Sequence, residues 1–188
     1  MEIEKEVRFI ISKEQKEMIK AITEPYKAKN EMLDITCGYA GFDSYSKYGF
    51  ICRVRQKGDE KTIEVKNYKN QNECIEQSIK LERVSDGVNY LKLIGMEPYL
   101  YLKRFREVRK YQNLKIFIDE FDILGDFVEI EYQDSRDEKE ELDEFTKRIG
   151  IDVKQTQDMY GGIVKEKIEK DEQFRQCFNE NLDKIIKQ

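Results

Sequence analysis

At 188 residues the chain is long enough for one domain with a real core, and its charged share, 39%, equals its hydrophobic share. That is well above the usual charged fraction of about a quarter, so many ions have to be placed somewhere, outside or inside. The net charge of -5 argues against general nucleic-acid binding, which needs a basic footprint, and an aromatic content of 11% argues against disorder.

No apolar run is long enough to span a bilayer, and the chain begins on charge, so neither a membrane partner nor a signal peptide is expected. Cys37, Cys52, Cys74 and Cys177 show no C-x-x-C or zinc spacing and read as thiols of a reducing, cytoplasmic compartment. Histidine is absent, which removes histidine triads, ligands and acid–base chemistry together.

The first stretch, Met1–Ser12, alternates Glu2, Glu4, Glu6 and Arg8 with Ile3, Lys5, Val7, Phe9 and Ile11. A period of two predicts a strand with one ionic and one mostly apolar face. Like charges on alternate positions lie about 7 Å apart and need a positive offset, unless the strand is a solvated edge charged against aggregation. Ser12 and Gln15 have capping-box spacing, and a helix is expected from Lys13 to Thr23, ending near Pro25. Asn30–Phe42 reads as a strand running into a loop through Gly49. Phe50–Gln56 then sets Ile51, Arg53 and Arg55 opposite Cys52 and Val54.

After a turn at Lys57-Gly58-Asp59, Thr62, Glu64 and Lys66 alternate with Ile63 and Val65. A turn-rich stretch, Asn67–Asn72, leads to Cys74–Glu82, where Glu76, Ser78, Lys80 and Glu82 oppose Ile75, Ile79 and Leu81. Asp86–Ile94 is expected to be a helix closed by Gly95. Tyr99–Tyr111 reads as a strand with Arg104 and Arg106 on one side and Phe105 on the other. Leu114–Phe121 sets Lys115, Phe117 and Asp119 against Ile116 and Ile118, and Phe127–Tyr132 sets Glu129 and Glu131 against Val128 and Ile130. Helices are expected over Asp137–Ile149, Gln155–Lys170 and Glu172–Lys187, the last with a stripe of Phe174, Cys177, Phe178, Leu182, Ile185 and Ile186 that reads as packing.

Taken singly, Arg53-Val54-Arg55 is an ordinary exposed strand, Glu64 with Lys66 a surface pair, and Glu129-Ile130-Glu131 a solvated segment. Recurrence on seven segments changes the reading. Helices can cover the apolar faces from outside and leave the charged faces to line an interior. Burying isolated ions costs several kcal/mol each, whereas a mixed lining with water, metal and anion avoids that cost. Glu4, Glu6, Glu76, Asp119, Glu129 and Glu131 supply hard oxygen ligands, suited to magnesium, manganese or calcium rather than zinc. Arg8, Arg53, Arg55, Lys66, Arg104 and Arg106 supply phosphate donors. The implied ligand is a highly charged anion arriving with a divalent ion.

Several segments together carry a family resemblance. Glu4-Lys5-Glu6-Val7-Arg8-Phe9 is similar to an opening E-x-E-x-K motif, Arg53-Val54-Arg55 to an R-x-R strand, and Lys66 to the lysine of the following strand. Arg104-Phe105-Arg106 is similar to a later basic pair. Asp119, with Leu124-Gly125-Asp126-Phe127-Val128-Glu129-Ile130-Glu131, resembles a D…LG-x-F-x-E-I-E signature, and Met159-Tyr160 the start of a late helix. From about Glu2 to Val164 the chain resembles the CYTH superfamily, the triphosphate tunnel metalloenzymes, which includes class IV adenylyl cyclases, thiamine-triphosphatases and inorganic triphosphatases.

The resemblance implies an α+β fold, a closed antiparallel β-tunnel with a charged interior flanked by helices. Length and the lack of any linker or repeat make this a single domain over 1–188, with 165–188 as a helical extension, and a monomer or homodimer is expected. The resemblance implies a phosphohydrolase dependent on magnesium or manganese that cleaves the P–O–P bond of a triphosphate-containing small molecule. Glu4, Glu6 and Lys66 take catalytic positions. The alternatives are a class IV adenylyl cyclase and a non-catalytic polyphosphate- or nucleotide-binding module. Arg8 and Arg104 stand where lysine is common, Cys74 where arginine is frequent, and Glu64 where threonine is usual.

Overall fold

The computed structural model describes residues 4–70, 73–133, 135–152 and 159–187, with the side chains of residues 4, 68–70, 73 and 74 excepted. Strand β1 (Glu4–Ile10) is followed by helix α1 (Lys13–Ile22), whose capping box is formed as expected: Gln15 N–H donates to Ser12 Oγ at 3.2 Å and Ser12 N–H to Gln15 Oε1 at 2.9 Å. Strand β2 (Glu24–Gly38) begins directly behind α1, earlier than the expected start at Asn30. The residue before a proline is driven to extended backbone, so Pro25 ends the helix and opens the strand in one step.

The loop expected next contains a 3-10 turn (Gly41–Asp43) and helix α2 (Ser44–Tyr48), closed by Gly49 in the left-handed region at φ 72°. Five residues are too few to show helical periodicity. Strands β3 (Phe50–Lys57), β4 (Glu60–Asn70) and β5 (Glu73–Lys80) form two hairpin ladders. The expected turn-rich stretch is therefore strand as far as Asn70, and residues 71–72 lie outside the described residues. Helix α3 (Val84–Leu93), strands β6 (Glu97–Tyr111), β7 (Leu114–Phe121) and β8 (Gly125–Gln133), and helices α4 (Arg136–Arg148), α5 (Tyr160–Lys170) and α6 (Glu172–Ile186) complete the chain. The Gln155–Asp158 part of the expected late helix falls outside the described residues.

The strands form one eight-stranded sheet in the order β1-β8-β7-β6-β2-β3-β4-β5. Its α+β character is as expected, but its closure is not. Among the described residues β1 and β5 each have a single strand neighbour, so the sheet has two edges. The apolar side of β5 is not covered either: Ile75 and Ile79 are 46% and 67% exposed. The described residues fall into two compact units, Met1–Glu31 with Arg104–Asp158 and Met32–Lys103 with Met159–Gln188, and β2 and β6 each contribute to both.

In the first unit, α1 and α4 cover the aliphatic side of β1, β8 and β7. Phe9, Ile116, Ile118, Val128 and Ile130 pack with Ile19, Leu142, Phe145 and Ile149 in one buried cluster. In the second unit α3 packs on β3 so closely that a Cβ on Gly87 would lie 3.0 Å from Val54, and Phe178 of α6 stacks on Tyr101 at 4.7 Å. Phe178 and Leu182 are the buried members of the α6 stripe, whereas Cys177 is exposed. Cys37 and Cys52, opposed on β2 and β3, are free thiols that burial pushes up to about 12 and about 11. No described helix is long and apolar enough to cross a membrane.

Candidate functional site

With aliphatic residues committed to the helices, the alternating pleat leaves each unit a face of ions. In the first unit this face takes Glu6 and Arg8 from β1, Glu129 and Glu131 from β8, Lys115, Phe117 and Asp119 from β7, and Arg104 and Arg106 from β6. The register decides who meets whom: Glu6 stands opposite Glu131, Arg8 opposite Glu129, Lys115 opposite Glu131 and Arg106 opposite Asp119.

Asp119 is fully buried and accepts a two-pronged bond from Arg106, at 2.6 and 2.5 Å, while Arg104 Nε lies 3.5 Å away. Arg106 also reaches Glu129 at 3.1 Å, and Arg8 donates to Glu129 at 2.8 Å and to Glu6. Lys115 holds Glu131 at 2.5 Å. Phe117 supports two of these cations by its ring face, Arg106 at 4.5 Å and Lys115 at 4.8 Å from the centroid. Burial works to raise the Glu129 carboxyl. The charges of Arg106 and Arg8, the Arg8 hydrogen bond and the charge of Arg104 outweigh it and hold the group below its ordinary value.

Glu6, Glu129 and Glu131 offer carboxylate oxygens that all lie within 4.8 Å of one another. Two carboxylates directly opposed across a ladder repel, and Arg8, Arg106 and Lys115 offset that repulsion here. An all-oxygen set of this kind fits magnesium or manganese.

The ionic face of the second unit is built differently. Its carboxylates stand opposite cations: Asp34 faces Arg55, Glu64 faces Arg53 and Glu76 faces Lys66. Arg55 grips Asp34 with Nε at 2.6 Å and Nη2 at 3.0 Å; Lys66 pairs with Glu76 at 2.8 Å. Glu64 accepts from Arg53 Nε at 2.7 Å and lies 3.3 Å from Arg55 Nη1. Burial raises the Glu76 carboxyl, but the Lys66 hydrogen bond and charge, with Arg53 and Arg55 beyond, carry it below its ordinary value.

No family model matches this chain, and no curated protein matches it. Solved structures do. The PH1012 protein from Pyrococcus horikoshii aligns with a TM-score of 0.68 at 19% identity, over 86% of this chain and 98% of that one. A candidate adenylate cyclase from Vibrio parahaemolyticus aligns at 0.65 and 16% identity, over 87% and 98%. The Hippeastrum protein HpAC1, an adenylyl cyclase candidate with a dominant triphosphatase activity, aligns at 0.57 and 15% identity, over 80% and 89%.

The shared fold agrees with the CYTH resemblance.

Of the residues expected to act, the fold brings Glu6, Arg8, Arg104, Arg106, Asp119, Glu129 and Glu131 onto one face of one unit. Arg53, Arg55, Lys66 and Glu76 share a face in the other. The Glu4 side chain is outside the described residues; its backbone pairs with Gln133. Asp119 and Glu76 are held by cations and lie outside the carboxylate trio. Glu64 and Lys66 are not a surface pair, since Glu64 is 7% exposed and each residue bonds across a strand instead. Glu129 is likewise not solvated, at 4%.

Asp34, buried at 3%, was missed. An acid between Leu33 and Ile35 was the available signal, but its meaning depends on the Arg55 register. A cavity of about 450 Å³ lined by Pro25, Tyr26, Lys27, Ala28, Lys29 and Glu107 contains none of the expected residues.

Proposed function

We propose that the protein is a CYTH-type phosphohydrolase, dependent on a divalent metal, that cleaves the P–O–P bond of an inorganic, thiamine or nucleoside triphosphate. The observation that carries this reading is the group Glu6, Glu129 and Glu131 with Arg8 and Arg106 bonded to it. Carboxylates for a hard cation and forks for phosphate occupy the same few ångströms. A divalent ion held there by Glu6, Glu129 and Glu131 would neutralise phosphate charge and act as a Lewis acid.

The chain's own residues then position the substrate. Arg8, Arg104 and Arg106 bind phosphate oxygens and stay charged throughout, since arginine does not deprotonate in proteins. Asp119 and Phe117 hold the Arg106 fork in place, by two hydrogen bonds and by the ring face. In-line attack of water on the terminal phosphorus breaks the bridging bond, and orthophosphate and a diphosphate leave. The acceleration comes from positioning and fixed charge, with no protein nucleophile. Arg53, Arg55 and Lys66 are a second group of phosphate donors, on a face of their own unit, and Arg55→Gln is expected to weaken triphosphate binding.

Hydrolysis is placed ahead of cyclisation because the Hippeastrum protein with this fold is mainly a triphosphatase. The second reading is an adenylyl cyclase, supported by the fold shared with the Vibrio candidate. A panel of tripolyphosphate, thiamine triphosphate and ATP with magnesium or manganese decides. Orthophosphate release that a chelator stops supports hydrolysis; pyrophosphate with a cyclic nucleotide supports the cyclase. Binding without either product leaves a polyphosphate-binding module. Magnesium or manganese, a triphosphate partner, a cytoplasmic setting and a monomer or homodimer complete the proposal.

A further inference from the structure

Glu64 is set between two guanidinium groups. Its Oε2 takes Arg53 Nη2 at 2.6 Å and Nε at 2.7 Å and lies 3.3 Å from Arg55 Nη1, while its Oε1 accepts from Thr62 Oγ1 at 3.2 Å. A buried carboxylate set between two guanidinium groups has the charge and the geometry of a phosphate's non-bridging oxygens. We infer that Glu64 is a built-in competitor for phosphate at Arg53 and Arg55, and that it makes this cluster select a triphosphate carrying a cation over the bare polyanion.

Phosphate binding at Arg53 and Arg55 is an exchange. A phosphate that takes Arg53 and Arg55 leaves the Glu64 carboxylate buried without its guanidinium partners, which is costly unless a new positive charge arrives. A bare polyanion brings none; a metal-loaded triphosphate does. The cluster's paired charges balance, with Arg53, Arg55 and Lys66 against Asp34, Glu64 and Glu76. Neutralising Glu64 alone leaves one cation in surplus. Asp34 still grips Arg55 by its Nε and Nη2, so that fork keeps its orientation when Glu64 changes.

The choice of triphosphate as the ligand rests on the proposed function, but the exchange needs no turnover. The test is titration calorimetry of the full chain with inorganic triphosphate, once in chelator and once with excess magnesium. Wild-type protein binds the magnesium-loaded form more tightly than the bare one, and equal affinities would overturn the inference without any variant. Glu64→Gln binds bare triphosphate about tenfold more tightly and narrows the gap between the two forms, whereas Glu64→Asp stays near wild type. A folded Glu64→Gln protein, judged by its melting curve, that binds bare triphosphate no better or worse shows Glu64 to be an orienting residue and ends the inference. If Glu64→Gln does not fold, Glu64→Thr is read by the same criterion. Phosphate release with unchanged Glu64→Gln affinities defeats this inference alone; absence of release with the expected affinities defeats the hydrolase reading alone.

Discussion

The two ionic faces are made from the same residue types on the same alternating pattern, yet they differ in what they can hold. In one, Glu6 and Glu131 oppose each other across a ladder and Glu129 joins them, so carboxylates converge. In the other, every carboxylate of the face opposes a cation, Asp34 with Arg55, Glu64 with Arg53 and Glu76 with Lys66, so charge is settled pair by pair. Register, not composition, separates a face where three carboxylates gather around Arg8, Arg106 and Lys115 from one where each carboxylate faces its own cation. Opposed like charges weaken a sheet and opposed unlike charges support it.

Removing a carboxylate tests the difference most harshly where burial is complete. Asp119→Ala takes from Arg106 its two-pronged partner and from Arg104 a nearby carboxylate at a fully buried position, and unfolding in urea is expected to show a loss of about 3 kcal/mol. If the loss is as small as for a surface pair, the first face is not the closed network described.

Glu129→Gln is expected to lower the rate of metal-dependent phosphate release by about a hundredfold or more, by analogy with loss of one transition-state charge partner. Its effect on stability has a definite pH signature. The native carboxyl titrates below the ordinary 4.5, so its stabilisation is complete above that value and is lost as pH falls through the native one. A pH series of melts should show wild type losing this contribution on acidification and Glu129→Gln lacking it.

Glu76→Gln breaks a part-exposed pair with Lys66 in the balanced face, and the expected cost is about 1 kcal/mol or less. Glu140→Gln, which loses only an exposed helical pair with Arg136, should move the melting curve least, by under about 0.5 kcal/mol, and leave activity unchanged.

Much of this was legible in the sequence because a strand's period of two is local information. Glu6, Arg8, Asp119, Glu129 and Glu131 could be put on ionic faces by counting, and the helices that cover the aliphatic faces showed as a different period. What counting cannot supply is register. Glu64 could be put on an ionic face but not paired with Arg53, because nothing local says that Arg53 lies opposite it, and Asp34 was invisible as a partner for the same reason. The early start of β2 was hidden by Pro25, which reads first as a helix stop. The closed tunnel was expected from the resemblance and from the inverted faces; the sheet, with β5 carrying exposed Ile75 and Ile79, has edges instead.

The central claim is that Glu6, Glu129 and Glu131 together hold a divalent ion. Thermal melting of the full chain with and without magnesium or manganese tests it directly, since an ion that binds only the folded state raises the melting temperature. The account predicts a clear rise for wild type and for Glu76→Gln, and none for the double variant Glu6→Gln with Glu131→Gln. An equal rise in all three proteins would contradict it.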